Sequence, residues 1–112
     1  MKTILLITLL LALSLGLFAH PASNVSLNWD AKTSLLTVSF EHSVKNPGNH
    51  FINGVVIKVA GKEIISQSAL MQENSTNGSY VYKLLGIKSG TVIEAVTVCN
   101  KIGKKSAKLT IK

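Results

Sequence analysis

The feature that most constrains the fold of this chain is a repeated alternation of apolar and polar residues in short segments. Apolar residues occupy every second position of residues 25–29 and of residues 36–40, and the turn-forming segment 30–34 separates the two. A period of two residues places alternate side chains on opposite faces of a β-strand. After residue 19, no window of eleven or more residues shows an amphipathic helical stripe, so the sequence predicts an all-β domain.

Further strand signals follow along the chain, and turn signals separate them. Residues 51–59 and 63–67 flank Gly61-Lys62, which is the pattern of a β-hairpin. Residues 74–78 form a polar turn in this interpretation, with Asn77-Gly78 at its tip. The chain therefore returns repeatedly between adjacent antiparallel strands.

The last third of the chain contains the clearest strand, residues 92–100. It is rich in β-branched residues, which favours a central position in a sheet. One face of this strand carries Ile93, Ala95, Thr97 and Cys99. With residues 80–85 and 107–111 as further strands, about seven strands are expected in about 90 residues, which is typical of an immunoglobulin-like antiparallel β-sandwich.

The first residues have the composition of a secretory signal peptide. Lys2 precedes an apolar segment at residues 4–13, and small residues lead to a cleavage site after Ala19. Cleavage there predicts a signal peptide at 1–19 and a domain at 20–112, whereas cleavage after Ala22 is a weaker alternative. The protein is then expected to be exported to the periplasm or secreted, with no membrane anchor after processing.

The charge of the chain is positive, at +7, and it is concentrated towards the end of the sequence. All twelve basic residues are lysines, so the bidentate contacts that arginine makes to phosphate and guanine are absent. Nucleic acid is therefore not an expected partner. We interpret the terminal lysines as a solvated face that protects an edge strand from aggregation; they are Lys101, Lys104, Lys105, Lys108 and Lys112.

Imidazoles and one thiol are the residues best suited to carry chemistry. The chain has three histidines, His20, His42 and His50, and one cysteine, Cys99. Imidazole nitrogen and thiolate sulfur bind iron, copper and zinc, and in a sandwich they must come from different strands. The alternative is that the histidines lie at the surface or in hydrogen bonds and that the cysteine fills the core.

Two segments resemble the iron-binding motifs of superoxide reductases, the neelaredoxin and desulfoferrodoxin family. The segment His42-Ser-Val-Lys-Asn-Pro-Gly-Asn-His50-Phe51-Ile52 is similar to the second and third histidine motif of that family. Val98-Cys99-Asn100-Lys101-Ile102-Gly103 resembles its Cys-Asn-x-His-Gly motif. The two motifs occur in the family's order, and with the strand pattern they cover most of residues 34–112.

The resemblance implies a mononuclear ferrous iron (Fe2+) centre that reduces superoxide to hydrogen peroxide and is re-reduced by an unknown electron donor. His42 and His50 would be equatorial ligands in this arrangement, and Cys99 would be the axial thiolate. Lys45 lies between the two histidines and is the candidate for attracting the superoxide anion. The alternative for Lys45 is a solvated loop lysine.

The sequence departs from the family at two places. Ile102 stands where the family has its last equatorial histidine, so one ligand is lost. The family's Glu-Lys-His sequence ahead of its first ligand is also absent, and the only upstream histidine is His20, preceded by Ala19. His20 can replace that ligand, which gives a set of three imidazoles and one thiolate.

Two other functions remain open at this stage. In the first, the protein carries copper in the periplasm, where the amine and imidazole of an N-terminal His20 chelate the metal and His42 or His50 completes the site. In the second, no metal binds, and the sandwich is a structural or interaction module whose edge strands meet a partner.

Overall fold

The computed structural model describes residues 20–112, which form seven β-strands and no helix. The predicted signal peptide at 1–19 lies outside the described residues. Within 20–112, no helix is long and apolar enough to cross a membrane. The strands are β1 (Asn24–Asp30), β2 (Leu35–Glu41), β3 (Ile52–Val59), β4 (Lys62–Ser68), β5 (Asn77–Lys83), β6 (Val92–Cys99) and β7 (Lys104–Thr110).

The strands form two antiparallel sheets, in the orders β1-β2-β5 and β4-β3-β6-β7. The predicted all-β sandwich is confirmed. In constant-type immunoglobulin domains the fourth strand joins the sheet of the first and second strands, whereas here β4 pairs with β3. The cause is local, because Ala60 and Gly61 both have positive φ angles, 51° and 80°, as a two-residue hairpin turn requires.

The core lies between the sheets and is built from the inward-facing residues of the alternating patterns. Leu36 and Val38 of β2 and Ile57 of β3 are fully buried. Each buried aliphatic side chain of this size contributes about 1.5–3 kcal/mol relative to an exposed one. The apolar core therefore provides the stability that small exported domains often obtain from disulfides.

Strand β6 has the central position that its composition predicts, between β3 and β7. Its predicted inner face is confirmed, since Ile93, Ala95, Thr97 and Cys99 are all buried. Strand β7 lies at the edge of the four-stranded sheet, and the five terminal lysines are exposed. The interpretation of these lysines as a solvated face beside an edge strand is consistent with this placement.

One turn prediction is wrong in its details. Asn77-Gly78 belongs to β5 and does not form the tip of a turn. The turn lies earlier, where Asn74 Oδ1 accepts hydrogen bonds from the backbone N–H groups of Thr76 and Asn77. Gly78 is needed for packing, because a Cβ atom there would lie 2.5 Å from Cζ of Phe40.

The hydroxyl of Tyr82 gives a test of the core. This buried oxygen has no hydrogen-bond partner among residues 20–112, and burial raises the pKa of Tyr82 to about 12. An unsatisfied buried polar group costs about 1–3 kcal/mol. We expect Tyr82→Phe to raise the free energy of unfolding by about 1 kcal/mol in urea denaturation, and Tyr80→Phe, at a partly exposed ring, to change it little. A clear loss of stability in Tyr82→Phe would show that the hydroxyl has a partner.

Candidate metal centre

The antiparallel order of the strands brings the candidate ligands to one end of the sandwich. In such an order, the ends of even-numbered strands and the starts of odd-numbered strands lie together. His42 directly follows β2, His50 lies two residues before β3, and Cys99 ends β6. His20 precedes β1, so all four side chains belong to this end.

Three imidazole rings meet at this end. The ring centroids of His20 and His42 are 4.9 Å apart, those of His20 and His50 are 5.2 Å apart, and those of His42 and His50 are 4.8 Å apart. One nitrogen from each ring can be chosen so that the three atoms lie within 4.8 Å of one another. The three histidines are therefore close enough to hold one metal ion.

Cys99 contacts this group through His50. The Sγ atom of Cys99 is 3.2 Å from Nε2 of His50, and the backbone N–H of Lys101 donates to the same sulfur at 3.4 Å. The cysteine is only 5% exposed, so its sulfur contacts His50 from within the core. The structure thus places Cys99 beside His50, whereas the group close enough to share one ion consists of His20, His42 and His50.

Asn100 holds the loop that contains His50 beside Cys99 at the end of β6. Its Oδ1 accepts from the backbone N–H of Phe51 at 2.9 Å, and its Nδ2 donates to the carbonyl of Asn49 at 2.9 Å. The backbone N–H of Asn100 also donates to the carbonyl of Phe51 at 3.0 Å. These three bonds fix the backbone on both sides of His50 against the end of β6. Asn100 is part of the family-like motif, but the sequence alone does not indicate this role.

His42 is the most deeply placed of the three rings, with no exposed surface. Its Nδ1 is 2.8 Å from Oε1 of Gln72, and its Nε2 is 3.0 Å from the carbonyl oxygen of His20. Gln72 lies in the connection between β4 and β5 and is itself buried. No motif in the sequence marks Gln72, because its importance depends on a contact thirty residues away.

The environment of the rings is rich in hydrogen-bond acceptors. The two ring nitrogens of His20 lie 2.8 Å from the carbonyl of Pro21 and 3.0 Å from that of Ser43. His42 likewise faces one oxygen from each nitrogen. A neutral imidazole carries one N–H, so two such rings have only two protons for these four contacts. The other two contacts then place a nitrogen lone pair against an oxygen lone pair, which is repulsive. A cation at this end of the sandwich would remove that repulsion.

Lys45 and Ile102 occupy different positions relative to the three rings. Lys45 lines an open cavity of about 570 Å³ together with His20, His50 and Asn49. Lys45 thus lies at the wall of the cavity that borders His20 and His50. Ile102 is 56% exposed and has no atom that can ligate a metal, so the position of the family's last histidine contributes nothing to this site.

The electrostatics around His50 favour its neutral imidazole. Burial lowers the pKa of His50 below its usual 6.5, and the neighbouring His42, His20 and Lys101 lower it further. A hydrogen bond to the backbone of His20 opposes this effect in part. Neutral imidazole is the form that binds metals, so the surroundings keep His50 ready for coordination at lower pH than an isolated histidine.

No protein-family model and no curated protein matches this chain. The resemblance to superoxide reductases therefore depends on the residues around His42, His50 and Cys99. What the geometry establishes independently of that resemblance is a cluster of three histidines that can hold a metal ion.

The lowered pKa of His50 predicts that the free energy of unfolding of the metal-free protein depends on pH. Between that pKa and the unfolded value of 6.5, the unfolded chain binds more protons than the folded protein. The free energy of unfolding should then fall as the pH decreases through this interval. Urea denaturation above and below pH 6.5 measures this, and His50→Gln should flatten the dependence. Parallel pH profiles for the two proteins would contradict the effect.

The close contact between Gly103 and Pro21 holds the segment of His20 beside the other two histidines, and this contact can be tested. This glycine has a φ of 88°, and a Cβ atom there would lie 3.0 Å from the ring of Pro21, the residue after His20. We expect Gly103→Ala to destabilise the fold by about 1–2 kcal/mol and also to weaken metal binding, because Pro21 must move.

The matched control is Gly61→Ala. Gly61 has a similar φ of 80°, but no atom lies within 4 Å of the added Cβ. It should lose similar stability in thermal denaturation and keep the metal affinity of the natural protein in a zinc titration. Equal affinities in the two variants would show that the contact between Gly103 and Pro21 does not position His20.

Proposed function

We propose that this protein is an exported, mononuclear non-haem iron protein of the superoxide reductase type. His20, His42, His50 and Cys99 would bind the iron. The observation that carries the proposal is the convergence of three imidazoles with a buried sulfur 3.2 Å from one of them. Export to the periplasm or to the outside is part of the proposal and is supported by the composition of residues 1–19.

The donor set suits a transition metal. His50 Nε2 and Cys99 Sγ are 3.2 Å apart, so this nitrogen and this sulfur would be the two neighbouring donors that hold the metal. Nitrogen and thiolate together select iron, copper or zinc over magnesium and calcium, which prefer oxygen ligands.

Iron is favoured over the other two metals by the resemblance of the motifs that contain His42, His50 and Cys99. Bound ferrous iron would supply the electron that, with two protons, converts superoxide to hydrogen peroxide. The resulting ferric state needs an external electron donor to complete a cycle. Lys101 donates its backbone N–H to Cys99, which holds the sulfur in place and tunes its electron density.

Positive charge around the cavity supports an anionic substrate. Lys45 lines the cavity beside His20 and His50, and Lys101 is close enough to His50 to lower its pKa. The whole chain carries a charge of +7. A cleft lined by charge of one sign raises the local concentration and the association rate of small ions of the opposite sign. Superoxide, a small anion, fits this arrangement.

The test is spectroscopic. Residues 20–112 are loaded with Fe(II) without oxygen and then oxidised, and a thiolate-to-iron charge-transfer band is expected in the visible spectrum. Cys99→Ser should abolish the band because oxygen replaces the sulfur ligand. Thr97→Ser is the matched control, since Thr97 lies on the same buried face of β6 and its hydroxyl bond to the Lys105 carbonyl can be kept. An iron-loaded sample without the band would contradict the proposal.

A second candidate is a carrier of copper or zinc, and the position of His20 favours it. The ring of His20 lies against both other rings, so a free amine at this residue would add a fourth nitrogen donor near them. Mass spectrometry of the mature N-terminus decides whether His20 is the first residue. Competition between the three metals then separates a carrier from an iron protein.

If none of the three metals raises the melting temperature, the result favours the third function, a structural or interaction module without a metal. A ligand that binds only the folded state must raise the midpoint, so this outcome would exclude both metal-binding functions.

A further inference from the structure

Gln72 is a buried polar side chain in an otherwise exposed segment. It is 1% exposed, whereas its neighbours Met71 and Glu73 are exposed. The side chain points inward from the connection between β4 and β5 and reaches the end of β2. A buried amide is stable only if its donors and acceptor are satisfied, and Gln72 meets this condition entirely with groups around the histidine cluster.

The hydrogen bonds of Gln72 fix the orientation of its amide. Nε2 lies 2.8 Å from the carbonyl oxygen of His42 and 2.9 Å from that of Asn74. Carbonyl oxygens only accept, so the amide nitrogen must occupy this side. Oε1 then faces His42 Nδ1 at 2.8 Å and the backbone N–H of Ile52 at 3.4 Å.

Gln72 competes with the backbone carbonyl of His20 for the proton of a neutral His42. An amide oxygen accepts and cannot donate, so the Gln72 contact is a hydrogen bond only when Nδ1 carries the hydrogen. The carbonyl oxygen of His20, 3.0 Å from Nε2, accepts in the same way. The Gln72 contact is the shorter of the two, at 2.8 Å, which favours the Nδ1–H tautomer and leaves the lone pair on Nε2.

We propose that Gln72 is a positioning residue that locks His42 in the Nδ1–H tautomer and so keeps Nε2 available for the metal. The role rests on the proposed metal-binding function and adds a residue outside the ligand set. Hydrogen bonds to the second nitrogen of ligating histidines fix their tautomer and orientation in metal sites. Here the partner is a neutral amide, which orients the ring without adding negative charge to the centre.

Without the Gln72 acceptor, the contacts of His42 favour the other tautomer. The carbonyl of His20 would be the remaining acceptor at the ring, and an Nε2–H group would donate to it. The proton would then occupy the nitrogen that the metal requires. Gln72 therefore determines whether Nε2 of His42 has a lone pair for a metal or carries a hydrogen that is donated to the carbonyl of His20.

The first measurement uses the metal-free protein. Long-range ¹H–¹⁵N NMR spectra distinguish the two neutral tautomers and the imidazolium form of each histidine. We expect neutral His42 to be the Nδ1–H tautomer in the natural protein and the Nε2–H tautomer in Gln72→Met. An Nε2–H tautomer in the natural protein would overturn the proposal, and this test needs no variant to fold.

The second measurement is competition for zinc, a redox-inert probe. Loss of the hydrogen-bond partner of a ligating histidine lowers metal affinity by about 10–100-fold, and we expect this for Gln72→Met. Gln67→Met is the matched control, since Gln67 is a partly buried glutamine within β4. The control should bind zinc as the natural protein does. Unchanged affinity in Gln72→Met would overturn the proposal.

Gln72→Glu separates positioning from stability. The carboxylate keeps an acceptor at Nδ1 of His42 but faces the carbonyls of His42 and Asn74 without donors, so the fold should lose stability. The Nδ1–H tautomer and the zinc affinity should nevertheless be retained. Loss of both in this variant would show that Gln72 acts only by supporting the fold. If the natural protein binds no metal, the proposed function fails, while the NMR result still tests the tautomer.

Discussion

The antiparallel pairing of β3 with β6 places Ile52 opposite Cys99, and the contact between His50 and Cys99 follows from this register. Asn100 then fastens the backbone around His50 to the end of β6. A shift of one residue would turn the cysteine out of the core, because side chains alternate between the faces of a strand. The candidate centre thus depends on the same pairing that builds the four-stranded sheet.

The other two histidines reach the cluster from different parts of the fold. His42 is fully buried and is fixed by Gln72, whereas His20 is partly exposed and precedes the first strand. The contact of Pro21 with Gly103 holds the segment of His20 against the turn before β7. His20 is thus held in the cluster by contacts of its own segment, whereas His42 is held by the buried Gln72.

Much of the fold could be predicted from the sequence, because the alternation of apolar residues determines both the strands and their inner faces. The buried inner face of β6 and the edge position of the lysine-bearing strand β7 are examples. The prediction of a turn tip at Asn77-Gly78 was wrong because glycine occurs both in turns and where close packing is required. Here Gly78 allows packing against Phe40, and local turn statistics do not distinguish the two uses.

The site was predictable only in its ligand types. Three histidines and a cysteine are visible in the sequence, and antiparallel topology explains why they meet. Gln72 was not predictable, since a single buried glutamine has no local signature and its partners His42 and Asn74 are identified only by the folded chain. The supporting roles of Asn100 and Gly103 likewise depend on contacts between distant segments.

X-ray absorption spectroscopy of the zinc-loaded protein tests most directly whether the imidazoles and the thiolate share one ion. The account predicts a single sulfur neighbour at about 2.3 Å together with imidazole nitrogens at about 2.0–2.1 Å. A spectrum with only nitrogen and oxygen neighbours would contradict it, because Cys99 would then lie beside the histidines without binding their metal.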